Sequence, residues 1–124
     1  MSAGAALQAA IVSALQYVDG LAGVYDGPPA RAGYPYAVLD AATESDWSHK
    51  SGEGRELLVA MTIWDDQPAR LHGLADAAEG LVRDVASTGD WQVVTMRLLR
   101  RRLVRDVAGP WAAVLDFRAR LLAG

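Results

Sequence analysis

Few side chains in this chain could do chemistry near neutral pH. His49 and His72 are its two histidines, and imidazole is the side chain whose ordinary pKa lies closest to physiological pH. Neither has a Cys, a second His or a carboxylate at ligand spacing, so neither reads as a metal ligand or a general base. Both are expected at the surface, His49 in a polar loop and His72 on the polar side of a helix. Ser45, Ser48 and Ser51 lack the sharp strand-to-helix turn that activates a serine nucleophile. Gly52-Glu53-Gly54 is too short and too acidic to cradle a phosphate. The carboxylate pairs Glu44/Asp46 and Glu53/Glu56 lie in or beside the same loop. Asp65-Asp66 precedes Pro68, where carboxylates cap a helix start more readily than they bind a cation. The sequence therefore reads as a non-enzyme, with no cofactor and no metal.

Arginine gives the stronger signal. Arg97, Arg100, Arg101, Arg102 and Arg105 crowd one stretch, and they polarise the chain. Residues 1–96 carry 13 acids and 5 bases, whereas residues 97–124 carry 2 acids and 7 bases. Faces of opposite sign suit head-to-tail packing of identical subunits or docking on a charged partner; a solvated basic strand on an acidic protein is the plainer alternative. On a regular strand Arg97, Arg101 and Arg105 share one face and Arg100 and Arg102 the other. A nucleic-acid surface groups arginines with stacking aromatics, but the nearest aromatics, Trp91 and Trp111, stand at the strand ends. Salt bridges to a neighbouring subunit explain the arginines at least as well. A nucleic-acid-binding domain using Arg97 to Arg105 stays the alternative.

The elements that must position these residues follow from hydrophobic period. With 124 residues and no cysteine, the chain fits one domain, 1–124, without disulfides. No run reaches the roughly 20 apolar residues of a membrane span, and Met1 to Gly20 has no basic n-region, so a soluble protein is expected. Leu7, Ala10, Ile11, Ala14, Leu15 and Val18 recur at helical spacing, with Ser2 to cap and Gly20 to stop. The Gly- and Pro-rich stretch from Gly20 to Pro35 has room for one short strand at Val24-Tyr25. Tyr36 to Ala41 reads as a strand, and a polar loop follows from Thr43 to Arg55. Leu57, Val59, Met61 and Ile63 alternate with Leu58, Ala60, Thr62 and Trp64, so this strand is apolar on both faces and belongs in the middle of a sheet. Leu71, Leu74, Ala75, Ala78, Leu81, Val82 and Val85 mark a second amphipathic helix. Trp91 to Arg105 and Trp111 to Leu122 read as strands joined at Asp106 to Pro110, with helix as the competing reading. The expected fold is α+β: an antiparallel sheet of four to five strands with two helices, in the order α-β-β-β-α-β-β, the helices on one face.

Order and spacing of short motifs carry a resemblance. Tyr34-Pro35-Tyr36-Ala37-Val38-Leu39, Asp46-Trp47-Ser48-His49-Lys50, Gly54-Arg55-Glu56 and the strand ending Ile63-Trp64 resemble a bacteriophage tail-completion family. That family occurs in phages, prophages and gene-transfer agents and is related to the tail terminators of long-tailed phages. The opening from Leu7 to Leu15, the loop from Val24 to Pro29 and the helix from Pro68 are similar too. The turn Val107-Ala108-Gly109-Pro110 departs from the charged turn of the family.

The resemblance implies a ring subunit, a hexamer, on the head-proximal end of the tail tube. There it ends tube polymerisation and meets the head's connector or stopper, with DNA passing through and no membrane involved. Such a subunit is made in the bacterial cytoplasm and ends in the tail of a virion or gene-transfer-agent particle. A different neck ring, such as a head-completion stopper, is the alternative. The residues expected at a subunit or partner interface are Asp46, Trp47, His49, Lys50, Arg55, Arg97, Arg101 and Arg105. The loop from Glu44 to Arg55 is expected to be mobile in the free subunit. Trp47 either anchors it on a neighbour or folds back on its own sheet.

Overall fold

The structure, a computed structural model, describes residues 2–107 and 109–124, the side chains of Ala41 and Ala42 excepted. Met1 and Ala108, the latter in the turn expected at Asp106 to Pro110, lie outside the described residues. The chain runs α1 (Ala3–Leu15), β1 (Gly23–Tyr25), β2 (Tyr36–Asp46), β3 (Gly54–Asp65), α2 (Pro68–Arg83), β4 (Ser87–Thr88), β5 (Trp91–Arg105) and β6 (Trp111–Ala123). One sheet takes the order β1-β2-β3-β6-β5-β4.

Two features of the expected sheet need correction. It has six strands rather than four to five, and it is mixed, because β1 runs parallel to β2 with Gly23 opposite Tyr36. The short strand expected at Val24-Tyr25 is β1, and the added strand is β4. β4 is a two-residue strand formed where the chain leaves α2 and turns at Gly89, whose φ is +56°. Two residues are too few to show a period-two pattern, so nothing in the sequence announces such a strand.

Alternation explains the core. Leu57, Val59, Met61 and Ile63 of β3 sit opposite Ala119, Phe117, Leu115 and Ala113 of β6, and all eight are buried. Against this face α1 packs Leu7, Ile11 and Leu15, and α2 packs Leu71, Ala75, Ala78 and Val82. The helices thus share one face, as the sequence leads one to expect. Ser2 caps α1, its hydroxyl accepting from the Ala5 amide at 3.2 Å. The helix stops at Leu15, not Gly20. Bonds from the Tyr17 and Val18 amides back to Ala14 and Leu15 tighten the last turn and turn Val18 inward. α2 lacks the side-chain cap expected from Asp65-Asp66, for Gln67 is its N-cap. Asp65 ends β3 instead, fully buried, where it accepts from the Gln67 amide and from Arg70.

β3 is central, flanked by β2 and β6, as its two apolar faces lead one to expect. Among the described residues no helix packs on the opposite face of the sheet. Leu58 is 44% exposed there and Leu99 of β5 is 50% exposed. The sheet's edges are also uncovered for most of their length. β1 pairs with β2 only from Tyr36 to Val38, and β4 pairs with β5 only at Trp91 and Gln92.

Candidate interaction surface

Nearly half of the long loop expected between Thr43 and Arg55 is ladder. Glu44, Ser45 and Asp46 pair with Leu57, Glu56 and Arg55, so the connection shrinks to residues 47–53. Its stem and tip are cross-braced, by the Trp47 amide on the Gly54 carbonyl at 2.9 Å and by a reciprocal pair between His49 and Gly52. Asp46 forms an Asx-type turn, accepting from the Ser48 hydroxyl at 2.6 Å and from the Ser48 amide. The Ser48 hydroxyl, followed by its amide, holds the Asp46 carboxyl below the usual carboxylate range. Gly54 is fixed by crowding: a Cβ there would meet the Trp47 carbonyl at under 3.0 Å.

Trp47 leans back on its own sheet. The Arg120 guanidinium of β6 lies 5.4 Å from its ring centre, and the His49 ring meets it edge-on at 4.6 Å. Arg120 is held in turn by Glu56 at 2.7 Å. Part of the tryptophan surface still faces out, beside the exposed His49 and Lys50. Arg55 is engaged within the hairpin, with Glu44 at 3.7 Å and Glu53 at 3.8 Å.

The arginines of β5 divide differently from a regular strand. Register shifts fall between Val93 and Thr95 and between Leu98 and Arg100, leaving Val94 and Leu99 as bulge residues. Each bulge inserts one residue and so reverses the parity beyond it. Cross-strand partners share a face, so Arg97, Arg100 and Arg102, opposite Arg118, Asp116 and Val114, lie on the uncovered face. Arg101 and Arg105, opposite Leu115 and Trp111, lie on the helix side. Arg97 is therefore separated from Arg101 and Arg105, contrary to simple alternation.

Their partners follow from this division. Arg101 ties β5 to α2 through Asp76 at 2.8 Å and Glu79 at 3.1 Å, and donates to the His72 carbonyl. Burial disfavours its charge, but these two carboxylates outweigh that and push its pKa up. Arg105 lies over the Trp111 ring at 5.9 Å. Arg100 pairs with Asp116 at 3.2 Å. Arg97 and Arg102 have no carboxylate partner among the described residues.

Sequence reading missed what β6 adds to this face. Arg118 stands opposite Arg97, and its Nε is buried with no hydrogen-bond partner. Asp116, Arg118 and Arg120 were legible as one face of β6, but their juxtaposition with β5 depends on a register that only the bulges set. Between these charges Leu58, Ala60, Leu99 and Arg100 border an open depression of about 340 Å³. Among the described residues no group of His, Cys, Asp or Glu could hold a metal ion, and no helix is long and apolar enough to cross a membrane.

Comparison with known proteins bears on what such a surface serves. A family model described as "Tail completion protein gp17" matches residues 3–122. Among solved structures, one chain of a "Virion of native gene transfer agent (GTA) particle" superposes with a TM-score of 0.75 and 27% sequence identity, over 98% of each chain. No curated protein matches the chain. The match over nearly its whole length shows that this chain belongs to the tail completion protein gp17 family, a family of tail structural proteins rather than of enzymes.

Proposed function

We propose that this tail structural protein forms a ring, a hexamer, at the head-proximal end of a tail tube, where it stops tube polymerisation and joins the tail to the head. The observation that carries the reading is the family match across residues 3–122. Likeness in fold and sequence to a chain of a gene transfer agent virion supports the same setting, a phage-like or gene-transfer-agent particle assembled in a bacterial cytoplasm. A sheet left bare on one face and along both edges wants further cover, and neighbouring subunits can supply it.

Within that reading the hairpin from Asp46 to Arg55 meets an adjoining protein, the tube subunit or the head's connector. Trp47 is its anchor, already held in place by Arg120 and still partly exposed beside Lys50. A rigid aromatic with one free face is the kind of side chain that dominates interfaces. Arg97, Arg101 and Arg105 contribute to contacts between subunits, Arg101 by holding α2 against β5. DNA passes through the ring without specific binding.

Electron microscopy of the particle, with this subunit labelled, tests the reading. A ring between tube and head is the expected image, and tubes of uncontrolled length are expected when the subunit is withheld. A subunit that never associates with tubes and stays monomeric at every concentration overturns it. Co-purification with the portal in place of the tube points to a neck stopper instead.

A further inference from the structure

The two open edges of the sheet carry opposite charge. β2 presents Asp40, Glu44 and Asp46 and no base, while β5 presents Arg97, Arg100, Arg101, Arg102 and Arg105 and no acid. From Asp40 to Asp46 nothing among the described residues pairs with the outer side of β2, and from Val94 to Arg105 nothing pairs with that of β5. Unpaired strand edges of this length template the addition of another strand, and single domains blunt them with charge or bulges. β5 has both devices, and β2 has a register shift of its own between Leu39 and Ala42.

Like charge along each edge discourages β2 from pairing with another β2, and β5 with another β5. It favours β5 against β2. The geometry agrees with the charge. Three antiparallel steps separate β2 from β5 across the sheet, so the two strands run in opposite directions. A neighbour related by a simple rotation therefore brings its β2 antiparallel to this β5. The free stretches also share rungs: Ala42, Val59, Phe117 and Leu98 stand on one rung, and Ser45, Glu56, Arg120 and Thr95 on another. No large slide along the strands is needed to set one free edge beside the other.

We propose, resting on the ring reading above, that copies of this chain join edge to edge, β5 of one copy pairing with β2 of the next, so that one sheet continues around the ring. This is a heterologous contact, which closes into a ring when the rotation permits and does not stop at a two-fold dimer. Backbone hydrogen bonds supply the attachment, and charge selects the partner edge. Charges on either face of the joined strands lie within roughly one Debye length of the seam, about 8 Å at physiological salt, and so act on it.

Complementary charge reversal tests this. A first variant, Glu44→Lys with Asp46→Lys, makes both edges basic; a second, Arg97→Glu with Arg102→Glu, lowers the positive charge of β5 beside an acidic β2. Each alone is expected to lose the rings that the wild-type protein forms, by light scattering and electron microscopy. Mixed in equal amounts, they are expected to regain rings, because each mismatched edge then meets its complement in the other variant. Rings from each variant alone, or folded variants that stay apart when mixed, overturn the edge pairing and leave the ring reading standing. A wild-type protein that makes no rings, alone or on tubes, overturns the ring reading itself. Amide exchange on unaltered protein covers the case of a misfolded variant. Rings should protect Asp40 to Asp46 and Val94 to Arg105 relative to the dilute monomer, and protection elsewhere only counts against the pairing.

Discussion

Arg97 and Arg118 stand directly opposite each other on the uncovered face of β5 and β6. Like charges in directly facing positions destabilise a sheet by roughly 0.2–1 kcal/mol, and neither side chain has a carboxylate partner among the described residues. Such a pair costs the monomer stability. Arg97→Gln is therefore expected to raise the stability of the monomer by about 0.5 kcal/mol, read as a higher denaturant midpoint at unchanged slope. The same change is expected to weaken ring formation. A variant less stable than wild type would mean that Arg97 already has a stabilising partner.

Gly54 opens β3 where the hairpin closes on Trp47, with no space for a methyl group beside the Trp47 carbonyl. The obstacle is backbone, itself held by the Trp47 amide bond to the Gly54 carbonyl, so it cannot step aside as a flexible side chain would. Gly54→Ala is expected to cost about 1–3 kcal/mol, the range for overpacking a close contact. Thermal unfolding should show it as a lower Tm. Gly52→Ala, whose Cβ would meet nothing within 4 Å, serves as the control and should leave Tm nearly unchanged.

Asp65 and Arg70 give a pH dependence with a defined sign. Burial alone would raise the Asp65 carboxyl, but the Arg70 hydrogen bonds and the Gln67 amide outweigh it and hold it below the usual carboxylate range. Its folded pKa is thus lower than its unfolded one. The stability it contributes is complete above the ordinary carboxylate pKa of about 3.9 and is lost as pH falls through the lowered folded value. Arg70→Ala should lower Tm, because it leaves the Asp65 carboxylate buried without its charged partner. Stability measured at pH 7 and pH 3 should differ less in Asp65→Asn than in wild type. An unchanged difference would mean that other carboxylates carry the acid sensitivity.

Much of the architecture was legible because it rests on period. The alternation of Ala113, Leu115, Phe117, Ala119 and Leu121 marks β6 as half-buried, and all five are at most 1% exposed. The turn of Leu71, Leu74, Ala75 and Ala78 likewise marks the inner side of α2. Elements without a period were the ones misjudged. β4 is too short to have one, and Asp65 looks like a helix cap because sequence cannot show that Arg70 reaches back to it. On the candidate surface, Trp47 and its loop were found by composition, but its packing on Arg120 joins residues far apart in the chain.

The division of the arginines was misread for one physical reason, and that reason can be tested. Leu99 is an extra residue on β5, exposed, with no partner on β6. Deleting it leaves Leu98 opposite Phe117 and Arg100 opposite Asp116, so every other side chain keeps its face. Deleting Arg97, which lies in regular ladder, instead forces one end of β5 to change faces, since a one-residue slip moves each side chain to the other side. Either Met96 and Val93 or Leu98, Arg101 and Leu103 would then leave the helix side. Deletion of Leu99 should therefore lower Tm much less than deletion of Arg97, and should keep the circular dichroism of the folded sheet. Equal damage from the two deletions would show that the bulge at Leu99 does not set the register, and that Arg97 and Arg101 share a face after all.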